Sequence, residues 1–179
     1  MRVRTTINLA PQAAKEFVAS MKELGISKDA FLERTLPHEL NFLRALPKPT
    51  TEQRQALDLV DQVAGLIDPM ARTAKLSITL GAPLLQRINK MCKEKRVRRD
   101  DFFGAYIGFL VNGDDEIGCP SPLSQVKQLL TEPRTHYYES QQAIEAIFSQ
   151  SSNPYRRFMA PTGHELRGLL EQAADRITS

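Results

Sequence analysis

At 179 residues, with 24 Lys and Arg against 21 Asp and Glu, the chain has room for one medium domain or a compact domain with a small appendage, and its net charge of +3 is too small to identify a partner. A hydrophobic fraction of 41% and a charged fraction of 25% exclude a disordered chain, and no apolar run approaches the ~20 residues of a membrane span. The opening residues Met1 to Thr6 carry neither an apolar signal core nor a small-residue cleavage site, which predicts a cytoplasmic protein with no membrane partner.

The chain opens on alternation of period two. Val3, Thr5, Ile7 and Leu9 fall on one face of a short strand, and Arg4, Thr6 and Asn8 on the other. Pro11 marks a helix start, where its missing N–H costs nothing, and Ala14, Phe17, Met21 and Leu24 then recur at three- and four-residue steps. Gly25 stops that helix, and Ser27 suits the N-cap of the next, whose apolar residues are Phe31, Leu32 and Leu36. Pro37 predicts that this second helix ends or kinks. Leu46-Pro47-Lys48-Pro49 breaks the chain, and Thr50 opens a third helix with Gln53 at the capping-box position. Leu57, Val60, Ala64 and Ile67 make its apolar face, and Asp68-Pro69 ends it. About 17 residues at ~1.5 Å each span ~25 Å, enough to return the chain to the start of a second strand.

From residue 74 the opening pattern comes back. Residues 74–107 overlay residues 3–36 without a gap at a constant offset of 71, so that Lys75-Leu76-Ser77-Ile78-Thr79-Leu80 falls on Arg4-Thr5-Thr6-Ile7-Asn8-Leu9. Lys93-Glu94 falls on Lys22-Glu23, Val97 on Ile26, Asp100 on Asp29 and Phe102 on Phe31. Leu76, Ile78 and Leu80 point inward, while Lys75, Ser77 and Thr79 point out. Pro83 starts a helix bearing Leu84, Leu85, Ile88, Met91 and Cys92, and Phe102, Phe103 and Ile107 mark the helix after it. A lone strand cannot satisfy its own backbone, so each copy needs a partner, and the other copy is the obvious one. From Lys75 to Arg99 charge gathers too: Lys75, Arg87, Lys90, Lys93, Lys95, Arg96, Arg98 and Arg99 stand against the single acid Glu94.

After Asn112-Gly113-Asp114-Asp115 the character changes. Helices are predicted over 123–131, over 138–148 and from Thr162. The last has Glu165 at the capping-box position and Leu166, Leu169, Leu170, Ala173 and Ile177 on its apolar face. This region could pack on the repeats, mediate assembly or dock a partner.

Enzyme chemistry finds no foothold. Cys92 and Cys119 are the only cysteines, Cys92 reads as a buried thiol, and His38, His136 and His164 are scattered, which argues against a metal site. Nothing matches a nucleotide-binding glycine loop, a metal-binding His-Glu-x-x-His or a nucleophile elbow. His136-Tyr137-Tyr138 reads as packing, and Arg156 and Arg157 beside Tyr155 and Phe158 as a surface rim. The expectation is a non-enzyme with no catalytic residue, no cofactor and no small-molecule substrate.

Strand, Pro-started helix, short turn and apolar helix, repeated in register, resemble the ribbon-helix-helix family of the Arc and Met repressors. The resemblance covers about 80 residues in two blocks. It implies a mainly α fold with a small antiparallel two-stranded β-ribbon, in which repeats 1–45 and 74–113 form an intramolecular pseudo-dimer. Residues 46–73 are then a helical linker and 114–179 a C-terminal helical region. It further implies that the ribbon enters the major groove of double-stranded DNA, with Arg4, Thr6, Asn8, Lys75, Ser77 and Thr79 as base readers. Their donors and acceptors suit base edges independently of the family. The family also anchors phosphates at the start of each second helix, here Ser27, Lys28, Arg98 and Arg99, with Arg2 and Arg96 as further phosphate contacts. The second copy departs from the pattern, with Arg96 and Arg98 where the first has Gly25 and Ser27, so its anchor would work through side chains. Thr5 also replaces the bulkier apolar residue expected inside the first strand.

The function expected from this set is sequence-specific duplex DNA binding, as a transcriptional repressor or a plasmid-transfer or partition accessory factor. The competing expectation is a helical adaptor or antitoxin-like protein that binds a partner protein, or itself, through residues 120–179.

Overall fold

The computed structural model describes residues 1–67, 74–114 and 118–131, together with positions 142–144, 146–147 and 171. Over these the chain is mostly helical with one two-stranded antiparallel sheet. In chain order the elements are β1 (Arg2–Leu9), α1 (Pro11–Glu23), α2 (Lys28–Ala45), α3 (Thr51–Ile67), β2 (Ala74–Gly81), α4 (Ala82–Lys95), α5 (Arg99–Asn112) and α6 (Pro122–Thr131).

β1 and β2 pair along their whole length, from Arg2 opposite Gly81 to Leu9 opposite Ala74. A two-stranded ribbon is marginal alone and needs an apolar face covered. Ile7, Leu9, Leu76, Ile78 and Leu80 supply that face, and Ile7 and Ile78 are wholly buried. Thr5, across from Ile78, is half-buried, so the first strand does contribute less apolar surface at that point.

The covering helices exchange partners. α1 packs on α5 and α2 on α4, while α5 lies along β1 and α2 along β2. α1, α2 and α4 are amphipathic and gain their stability from burying one stripe, whereas α5 buries Phe102, Phe103, Ala105, Tyr106, Ile107 and Leu110 around most of its circumference. Phe17 and Met21 of α1, Leu32, Leu36, Leu40 and Leu43 of α2, Ile88 and Cys92 of α4, and Phe102, Phe103, Tyr106 and Leu110 of α5 meet in one core. On α1 it is Ala13 that is buried and Ala14 that packs at the margin.

The two helix-to-helix turns close in the same way. Ile26 N–H donates to Met21 O and Val97 N–H to Cys92 O, each at 2.9 Å. Gly25 (φ 67°) and Arg96 (φ 55°) hold the left-handed position that this C-cap demands.

Pro37 does not end α2, which runs on to Ala45. An interior proline forfeits a hydrogen bond and costs ~3 kcal/mol. Leu36, Leu40 and Leu43, buried on either side of it, anchor both halves of the helix to the core and outweigh that cost. The capping box of α3 forms as expected, with Thr50 N–H donating to Gln53 Oε1 at 2.9 Å and Gln53 N–H to Thr50 Oγ1 at 3.2 Å. Lys95 Nζ donates to Arg44 O at 2.7 Å and also to Leu46 O, tying the end of α4 to the end of α2. The side chains of Leu57, Val60, Ala64 and Ile67, and Asp68-Pro69, lie outside the described residues.

α6 packs on α5 through Leu123 and Val126. Ser121 Oγ donates to Leu110 O at 2.7 Å and accepts from Ser124 N–H at 3.2 Å, capping α6 while fastening it to α5. The helices predicted over 138–148 and from Thr162 fall almost wholly outside the described residues. Among the described residues no helix is long and apolar enough to cross a membrane.

Candidate nucleic-acid interface

Antiparallel pairs alternate between hydrogen-bonded and non-hydrogen-bonded. The bond from Ala82 N–H to Met1 O, 3.1 Å, makes Met1 and Ala82 a hydrogen-bonded pair and so sets the phase of the ribbon. Arg4–Thr79, Thr6–Ser77 and Asn8–Lys75 are then directly opposed, non-hydrogen-bonded pairs. In such pairs the side chains stand closest and the backbone groups point away from the partner strand. All six expected base readers are thus brought together as three rungs on the face opposite the core. Arg4, Thr6 and Lys75 are exposed, and Asn8, Ser77 and Thr79 half-exposed. Arg2, opposite Gly81, extends the same face. No carboxylate belongs to the ribbon. Arg4 Nη2 reaches Ser77 Oγ at 3.4 Å, and Arg2 Nη2 donates to Thr79 O at 3.2 Å.

The edges of the ribbon are met by the first two turns of the second helices. Along β1, Arg99 Nη2 donates to Thr6 O at 3.0 Å and Asn8 Nδ2 donates to Asp100 Oδ2 at 2.7 Å. Along β2, Gly81 N–H donates to Glu33 Oε2 at 2.7 Å, and Asp29 lies against Thr79. Burial opposes ionisation of Asp29, but the hydrogen bonds from Lys28 and Thr79 and the Lys28 charge outweigh it, so its pKa lies below the ordinary value. The beginnings of α2 and α5 therefore border the ribbon on opposite edges.

These beginnings carry the expected phosphate contacts. Ser27 Oγ accepts from Ala30 N–H at 3.4 Å, capping α2. Lys28 Nζ sits 2.7 Å from Asp29, Arg98 Nε 2.9 Å from Asp101 and Arg99 Nε 3.9 Å from Asp100. Each cation leans on a carboxylate yet keeps exposed surface, from 31% for the Lys28 side chain to 50% for Arg98. Asn89, Arg98, Arg99 and Asp100 line a shallow depression at the start of α5. Arg96 is exposed on the turn before it, where Arg54 donates to its carbonyl.

Asp29, Asp100 and Glu33 are contacts that sequence reasoning did not single out. Asp29 and Asp100 are identical residues in register between the copies, and that coincidence was the available signal. Among the described residues no three His, Cys, Asp or Glu side chains are grouped to hold a metal ion. The segments containing His136-Tyr137-Tyr138 and Tyr155 to Phe158 lie outside the described residues. No family model, curated protein or solved structure matches the chain.

Proposed function

We propose that the chain is a single-chain ribbon-helix-helix protein whose two copies, 1–45 and 74–113, form an intramolecular pseudo-dimer that binds duplex DNA in a sequence-specific manner through the β1–β2 ribbon. The observation that carries this reading is the set of three opposed polar rungs on the face away from the core, on strands that contain no carboxylate of their own. Strands ~4.8 Å apart, with side chains added, fit a major groove ~12 Å wide. Rungs two residues apart lie ~6.8 Å from one another, so three of them span ~14 Å, or about four base pairs. Arg4 and Lys75 suit guanine O6 and N7, Asn8 suits adenine, and the hydroxyls of Thr6, Ser77 and Thr79 suit either sense of hydrogen bond.

The exchanged packing of α1 on α5 and α2 on α4 supports the pseudo-dimer, because neither helix pair closes a core with its own strand alone. Lys28, Arg98 and Arg99 at the ribbon edges suit phosphates to either side of the groove, with Arg2 and Arg96 as outer contacts. The role that follows is transcriptional repression or service as an accessory factor in plasmid transfer or partition, without catalysis or cofactor. The test is selection from a pool of randomised duplexes, followed by binding of Arg4→Ala and Lys75→Ala. Each variant should lose ~1–3 kcal/mol on the selected sequence and far less on unrelated DNA. Failure to select any sequence, or unchanged discrimination in both folded variants, overturns the reading.

A further inference from the structure

Asp29 and Asp100 occupy equivalent places, each in the first turn of a helix bordering the ribbon, and each bonds one residue of an end rung. Asp100 takes Asn8, and Asp29 takes Thr79. Those two residues are themselves equivalent at the offset of 71, yet one is an amide and the other a hydroxyl. We propose that Asp29 and Asp100 are specificity-determining positioning residues, which fix Thr79 and Asn8 in different hydrogen-bonding senses so that the ribbon reads an element with two unlike ends. This rests on the ribbon being the base-reading face.

The argument is one of donors and acceptors. An unrestrained asparagine can turn its amide to offer a base either oxygen or nitrogen. A carboxylate only accepts, so Asp100 engages the NH2 side alone and blocks the turn that would exchange the two. Oδ1 and the second N–H are left in a fixed order for a base. A threonine hydroxyl has one hydrogen, and Asp29 beside Thr79 is a carboxylate that can only accept it. Toward DNA, Thr79 Oγ1 is then an acceptor only and favours an exocyclic amino group, adenine N6 or cytosine N4. At one end Thr79 faces Arg4, and at the other Asn8 faces Lys75. The two ends therefore ask for different base pairs, and a perfect palindrome satisfies only one of them.

The experiment determines base preferences by randomised-duplex selection and competition binding for the full chain and for Asp29→Ala, Asp29→Asn, Asp100→Ala and Asp100→Asn, each first shown to be folded by thermal denaturation. The wild-type site should be non-palindromic. Asp100→Ala should lose about fivefold or more of its discrimination at the Asn8 end only, and Asp29→Ala the same at the Thr79 end only. Asp→Asn keeps an accepting oxygen and should retain most of the preference. Loss of either charge raises affinity for all duplexes alike, so the preference at each end is the quantity to read. Without DNA, the Asn8 side-chain NH2 resonances should shift in Asp100→Ala and stay near their wild-type positions in Asp100→Asn. Alanine variants with wild-type preferences at both ends, or unmoved Asn8 resonances, overturn this proposal and leave DNA reading by the ribbon standing. A wild-type chain with no sequence preference overturns both.

Discussion

Arg96 and Gly25 sit at the same point of two matching helix ends, but only glycine takes a positive φ without opposing its own Cβ. Arg96→Gly should therefore stabilise the chain by about 0.5–1 kcal/mol, read as a higher urea midpoint at unchanged slope. Burial pushes the Cys92 thiol up to about 12, with Arg99 opposing and Asp101 adding to the rise. It stays a thiol at neutral pH, so an alkylating reagent should modify Cys119 in the native chain and reach Cys92 only after unfolding. Asp29 works in the other sense. Its folded pKa lies below the unfolded one, so its contribution to stability is present above the unfolded value and is lost as pH falls through the folded value. Acid titration of stability should be shallower in Asp29→Asn than in the wild type.

The ribbon is held by the apolar face beneath its polar rungs. Ile78→Ala should cost ~2–5 kcal/mol in chemical denaturation, since the side chain is wholly buried under the centre of the sheet. Thr50→Ala should cost ~1 kcal/mol by unmaking the cap of α3. Much at this scale was legible beforehand. Alternation assigned Arg4, Thr6 and Asn8 to one face, and Thr50 with Gln53 announced a cap that forms. The register was not legible, because sliding one strand by two residues leaves every side chain on its own face. What distinguishes the observed register is contact from other elements, namely Glu33 on Gly81 N–H and Arg99 on Thr6 O. Which helix covers which strand was hidden for a similar reason, since an apolar stripe states that it must be buried and not by what. Of the two outcomes expected at Pro37, an end or a kink, the end does not occur, because local propensity knows nothing of Leu36, Leu40 and Leu43 gripping the core around it.

At the scale of the molecule, β1 and β2 come from one polypeptide and share one core with α1, α2, α4, α5 and Leu123 of α6. Folding of that core is then unimolecular, and its denaturation midpoint should be the same over a hundredfold range of protein concentration. A concentration-dependent midpoint would place the partner strand on a second chain. Binding should also weaken as salt rises, with a slope of roughly −0.9 per phosphate neutralised, and Arg98→Ala with Arg99→Ala should flatten it by about two such contacts. The pairing of β1 with β2 has a further consequence for how such a protein changes over generations. Where a ribbon is built from two identical chains, every codon change appears on both strands, and a mutation that suits one half of a target is imposed on the other. Here Arg4 and Lys75, or Asn8 and Thr79, are separate codons. If the ribbon reads DNA as proposed, one end of its element can be rewritten in a single mutational step while the other end is inherited intact.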